Sequence, residues 1–222
     1  MENLVRMSYL CAGGATVAQT TGAMSQPISS HSGNSREEIL VQEYLVRANL
    51  YPASESRRLH NLSRDPLTDE VLKALLALTD EYEAKFKSQL GELAASWNVG
   101  RDNPRSSFIE VLDTVFLDGC NWGRVVTVFI FIGLFVRKCQ SAGSTVSVSV
   151  DDVIDWSAAY LRDRLGQWIS EHEGWLGLVH FYRDGDPAGQ LATEGRMFKR
   201  LLTVAGASLA LLSLGSLLTN RA

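Results

Sequence analysis

From Val125 to Val136 the chain carries no charged residue, and Thr127 and Gly133 are the two small interruptions in a run that otherwise reads Val-Val-Val-Phe-Ile-Phe-Ile-Leu-Phe-Val. A helix built from these residues is apolar on every side, and such a helix is stable only where other elements cover it all round. About a dozen residues fall short of the roughly 20 that cross a bilayer, and Arg137-Lys138 follow at once. The run is therefore read as the central core helix of an all-helical domain, starting near Asn121.

The remaining composition permits such a domain. A chain of 222 residues, 45% hydrophobic and 21% charged, can bury one sizeable core with appendages. A formal charge of −4 with both signs interspersed offers no basic stripe for nucleic acid. The three cysteines, Cys11, Cys120 and Cys139, form neither a CxxC nor a Cys/His cluster, which argues for a reducing compartment rather than a disulfide framework or zinc site. His31, His60, His172 and His180 are scattered, so no metal is expected. Neither a nucleophile elbow, a phosphate loop nor a pair of catalytic carboxylates stands out, so no catalytic residue, cofactor or enzyme activity is expected. Asp151-Asp152 reads as acid favouring the start of a helix.

Residues 1–34 are rich in Gly, Ser, Thr and Ala without sustained periodicity and read as a disordered leader; Gly13-Gly14 interrupts any secretory signal. Ser35, three residues before Glu38, has capping-box spacing and opens a first amphipathic helix ending near Leu50. Residues 51–66 read as a loop. A second helical run from Asp69 to about Gly91 places Val71, Leu75, Leu78, Tyr82, Phe86 and Leu90 on one face. Further helices are expected near Ser107–Phe116, from Asp151 through Ser170, and from Gly174 to about Tyr182, closing a helical domain over 35–184.

A linker over 185–200 leads to Leu201–Leu218, which has no charge, follows Lys199-Arg200 and precedes Arg221. At about 1.5 Å per residue it reaches roughly 27 Å, enough for a thin bilayer, so it is expected to be a C-terminal transmembrane anchor; its serines and glycines leave a buried core helix as the alternative.

The run Phe116-Leu117-Asp118-Gly119-Cys120-Asn121-Trp122-Gly123-Arg124 resembles the first homology motif of the Bcl-2 family of apoptosis regulators, with its Asn-Trp-Gly-Arg tetrad opening a central apolar helix. Trp168-Ile169-Ser170-Glu171-His172-Glu173-Gly174-Trp175 resembles the second, with Glu173 standing where a glycine is usual. The second helix is similar to the third motif, the BH3 segment, with Val71, Leu75, Leu78 and Tyr82 in its apolar positions and Asp80 in the acidic one; Thr79 replaces the usual small residue. The first helix matches the fourth motif loosely.

The resemblance implies a groove that holds an amphipathic BH3 helix of a pro-apoptotic relative. Its lining would include Tyr82, Phe86 and Leu90 on one wall, Val111 and Val115 on the floor, and Val126 and Phe131 from the central helix. Arg124, aided by Asn121, would pair with the ligand's aspartate; Gly123 would allow close approach and Tyr182 would close one end. Outside the resemblance, apolar residues at this period are ordinary core and an arginine at a helix start is ordinarily solvated. Val128–Lys138 looks like the myeloid cell leukaemia protein and its relatives, which favours an anti-apoptotic guardian on the mitochondrial outer membrane or the endoplasmic reticulum. A pro-apoptotic, pore-forming effector is the alternative.

Overall fold

In the computed structural model, residues 35–54, 65–97, 103–142 and 148–185 are described, with Met197, Arg200 and Leu201. The expected leader, most of the 185–200 linker and the anchor beyond Leu201 lie outside the described residues. In chain order the helices are α1 (Arg36–Arg47), α2 (Pro66–Lys85), α3 (Lys87–Ser96), α4 (Pro104–Val115), α5 (Trp122–Ala142), α6 (Val150–Tyr160), α7 (Gly166–Glu171) and α8 (Leu176–Asp184). A π-helical turn, Leu161–Leu165, joins α6 to α7, and there is no strand among the described residues.

The apolar run lies inside α5, where Val125, Val126, Val128, Phe129, Ile130, Phe131, Ile132, Phe135 and Val136 are all buried. Helices α1, α2, α3, α4 and α6 pack against it, the all-round cover that its composition demands. The helix also continues past the charges that end the apolar run. Lys138 reaches sideways and donates to the Ala94 carbonyl near the end of α3 at 2.9 Å, so a cation meets the negative end of a helix dipole.

Local signals set the helix ends. Asp65 caps α2 by accepting from the Thr68 N–H at 2.7 Å, with Pro66 at the first helical position, where its missing N–H costs nothing. Asn49, at φ 57°, ends α1 in a Schellman turn: the Leu50 N–H donates to Leu45 O at 2.8 Å and the Asn49 N–H to Val46 O at 3.0 Å. Ser35 accepts from the Glu38 N–H at 3.2 Å, as its spacing predicts, while Ser149 and Asp152 form a full reciprocal capping box on α6.

Two expected helices are interrupted. The run from Asp69 to Gly91 breaks at Phe86 (φ −103°, ψ 19°) into α2 and α3, with no glycine or proline there. Phe86, Leu90 and Leu93 are all buried. Burying such side chains is worth about 1.5–3 kcal/mol each, against about 1 kcal/mol for a backbone hydrogen bond, so tertiary burial outweighs helix continuity. The π turn between α6 and α7 likewise keeps Leu161 and Leu165 facing the core.

Helix α1 lies along α6, where Glu38 meets Asp155. Burial, and then the Asp155 charge, raise the Glu38 carboxyl above its ordinary value of 4.5 despite a lowering bond from the Ser35 backbone. Between the ordinary glutamate pKa and the raised one the folded chain binds more protons than the unfolded chain, so this site's contribution to stability falls as pH rises through that window. Glu38→Gln is expected to melt higher than the parent at pH 7. A melting series should show that gain vanish below about pH 4, where both side chains are neutral; an undiminished gain in acid would mean that ionisation is not its cause.

Candidate functional site

The α4–α5 corner holds the arginine of the tetrad. Gly119 adopts φ +103°, a conformation that suits glycine, and its carbonyl accepts from Arg124 Nη1 at 2.7 Å. Asn121 accepts from the Arg124 backbone N–H at 2.8 Å, capping α5 as the motif implies. Arg124 Nη2 lies 3.9 Å from Asp118 Oδ2, and its side chain is 11% exposed. Asp118 also accepts a hydrogen bond from Arg200. The corner therefore presents a guanidinium whose position is held from both backbone and side chain before any ligand arrives.

The apolar candidates Tyr82, Phe86, Leu90, Val111, Val115, Val126 and Phe131 are all buried, within one cluster that spans α2, α3, α4 and α5. Their faces are packed against one another. Tyr82 and Phe86 meet edge-on at 6.1 Å, and Phe131 meets Trp97 edge-on at 6.4 Å. Gly123 faces the hydroxyl end of Tyr82: a Cβ there would stand 2.3 Å from the Tyr82 hydroxyl oxygen. Tyr182, on α8, is 39% exposed, and α8 packs on α2. Val71, Leu75 and Leu78 of the BH3-like segment face the core, while Asp80 is exposed and paired with Arg47 at 3.3 Å. To serve as a ligand for another protein, that segment would first have to leave the core.

Aromatic rings join the first and second motifs. Trp122 lies 5.1 Å from Trp168 and 6.1 Å from Trp175, and Trp175 Nε1 donates to Glu37 at 2.8 Å. Gly177 makes this closeness possible, because a Cβ there would come within 2.1 Å of the His172 carbonyl and 2.8 Å of the Trp122 ring.

Sequence reasoning passed over Asp118 as a turn residue and Arg200 as an anchor flank, although the two are paired. It also passed over Trp97, which is buried against Phe131 and Phe135. No local pattern marks an ion pair across 82 residues. Among the described residues no group of three or more His, Cys, Asp or Glu side chains is arranged to hold a metal ion.

Residues 75–175 match the model of the apoptosis regulator proteins of the Bcl-2 family, which contains this corner and the tryptophan cluster. Bcl-2-like protein 1 of Gallus gallus is 30% identical over 166 residues, covering 75% of this chain and 70% of that protein. This chain belongs to the Bcl-2 family. Two further relatives are Apoptosis regulator R11 of Xenopus laevis, 29% identical over 153 residues (69% of this chain, 74% of that protein), and human Bcl-2-like protein 1, 33% identical over 156 residues (68% and 64%). The crystal structure of Trichoplax adhaerens trBcl-2L2 bound to trBak BH3 matches with a TM-score of 0.54, covering 65% of this chain and 94% of that one; at 23% identity the likeness is one of fold.

One departure from the Bcl-2 family pattern has a structural cost. Glu173 sits at φ 67°, the left-handed position of a Schellman turn in which the Gly174 N–H donates to Ile169 O at 2.8 Å. A side chain costs about 1–2 kcal/mol in that conformation, and the exposed Glu173–His180 contact offsets only part of it. Glu173→Gly is expected to raise stability by about 1 kcal/mol in urea denaturation, whereas Glu173→Ala should give no gain.

Proposed function

We propose that this protein is an anti-apoptotic guardian that takes the BH3 helices of pro-apoptotic relatives, effectors included, into the groove bounded by α2, α3, α4 and α5, and so prevents outer mitochondrial membrane permeabilisation. The observation that carries this reading is Arg124, nearly buried and fixed by the Gly119 carbonyl at the end of an apolar cluster. A guanidinium so placed pairs with a carboxylate in a site largely shielded from water, which sets the register of an incoming helix. Relatives named Bcl-2-like protein 1 and the trBcl-2L2 complex with a BH3 peptide support it.

Because Tyr82, Phe86 and Leu90 are buried without a ligand, the ligand's apolar residues must replace contacts already made, and α2–α3 must move away from α4 and α5. Leu201–Leu218 is proposed as the anchor to the mitochondrial outer membrane, with the endoplasmic reticulum as the other candidate. Among the described residues no helix is long and apolar enough to cross a membrane. Within the guardians, the Val128–Lys138 run favours the myeloid cell leukaemia group, whose ligand preferences a BH3 peptide panel would distinguish from those of Bcl-2-like protein 1.

The test is release of a trapped dye from liposomes of outer-mitochondrial-membrane composition. The full-length protein with an activating BH3 peptide should release nothing alone and should suppress release by a known effector. Release by this protein alone would identify it as a pore-forming effector.

A further inference from the structure

On the side of α4 turned away from the groove, a cleft of about 770 Å³ opens between α4 and α6 and continues along the π turn. Ile109, Leu117, Trp156 and Ala159 give it an apolar floor, and Leu117 is 38% exposed. With 3.6 residues per turn, Ile109 and Asp113 lie on the opposite side of α4 from Val111 and Val115. No residue proposed to line the groove lines this cleft.

Helices α4 and α6 run in the same direction here. Phe108 meets Trp156 at 6.3 Å; further along, Asp113 accepts from the Tyr160 hydroxyl at 3.0 Å and Phe116 meets Tyr160 at 6.4 Å. Past Tyr160 the widened π turn, a feature frequent at functional sites, brings Asp163 and Arg164 to the cleft wall.

The charges stand in order along this cleft. Arg105 marks the end where α4 begins, and Arg164 the other end, roughly 17 Å away by helical rise. Glu110 and Asp113 stand between them. The exposed side chains of Arg105, Glu110 and Arg164 make no hydrogen bond or ion pair with any described residue, and Tyr160 engages one oxygen of Asp113. Asp163 is paired with its neighbour Arg162 at 3.0 Å. The series is therefore positive, negative, positive, over a length that about three turns of helix span. An amphipathic helix carries the complementary series, acid, base, acid, on the same face as its apolar residues.

We propose that the α4–α6 cleft docks an amphipathic helix of a partner protein, with a basic residue facing Glu110 and Asp113 and acidic residues facing Arg105 and Arg164. The partner's apolar residues lie over Ile109, Trp156 and Leu117. This docking site is separate from the BH3 groove, so both are filled at once.

The experiment titrates full-length protein on neutral liposomes with a fluorescent, stapled helix of fourteen residues. The helix has glutamates at its second and thirteenth positions, lysine at its ninth, leucines at its fifth and sixth, and alanine elsewhere. Anisotropy should show saturable binding, and excess BH3 peptide should leave the probe in place. Arg105→Glu combined with Arg164→Glu should weaken binding at least about tenfold, since like charges then face each other. A helix with lysines in place of its two glutamates should bind the parent at least about tenfold less well than the first, and the double variant as well as the first binds the parent. The double variant should keep the parent's melting temperature and its affinity for a BH3 peptide. Absence of saturable binding, displacement by BH3 peptide, indifference to the double substitution, or no recovery with the lysine helix would each overturn the proposal. So would dimerisation of this chain abolished by the same two substitutions, which would give the face to a second copy.

Discussion

Arg124→Ala is expected to weaken binding of a BH3 peptide by about 2–5 kcal/mol, roughly 30-fold to several thousandfold, the cost of leaving a desolvated carboxylate without its partner. The arginine is 11% exposed, bonded to the Gly119 carbonyl at 2.7 Å and 3.9 Å from Asp118. The ligand carboxylate thus meets a guanidinium that has already lost most of its water and its rotamer freedom. Lysine should not restore affinity, because a point charge cannot reproduce the forked contact. Titration of both proteins with a BH3 peptide and with its Asp→Ala counterpart forms a double-mutant cycle. If the two losses simply add, Arg124 does not pair with that aspartate. A melting curve of the variant separates this from damage to the corner, where Arg124 also braces the turn at Gly119.

Phe135→Ala is expected to cost about 3–5 kcal/mol of stability, the range for truncating a fully buried aromatic ring. Phe135 is buried in α5, with Phe108 at 4.8 Å on the α4 side and Trp97 at 5.3 Å beyond the end of α3. Alanine there removes the ring that both neighbours share, and two other large rigid rings cannot collapse into the space without moving their helices. Domains of this kind are stable by about 5–15 kcal/mol, so the variant should lose roughly a fifth or more of its margin. Urea denaturation at unchanged slope reads the difference directly. A loss under about 1 kcal/mol would mean that α3 and α4 close over the gap, and that this part of the core is held less tightly than its ring contacts imply.

Much of the architecture was legible because it rests on local or compositional signals. An apolar run with no polar side has to be surrounded, and Val125–Val136 lies within the helix that α1, α2, α3, α4 and α6 cover. The side chains of Ser35, Asp65 and Asn121 cap nearby N–H groups only three residues on, so their helix starts are written within a short stretch of sequence. The Asn-Trp-Gly-Arg tetrad likewise marked the corner that carries the candidate site.

What sequence could not show depends on residues far apart in the chain. Periodicity over Val71–Leu90 continues straight through Phe86, since period records which residues are apolar and not whether one axis can bury them all. The break into α2 and α3, the Tyr82 hydroxyl against Gly123, and the Asp118 carboxylate beside both Arg124 and Arg200 arise only when distant helices dock. By itself the sequence determined an all-helical domain with a central α5 and placed an arginine at its start. The tertiary structure alone decided that the apolar groove candidates are buried against one another and that Arg124 is held nearly out of water, because burial and ion pairing are properties of surfaces brought together by folding.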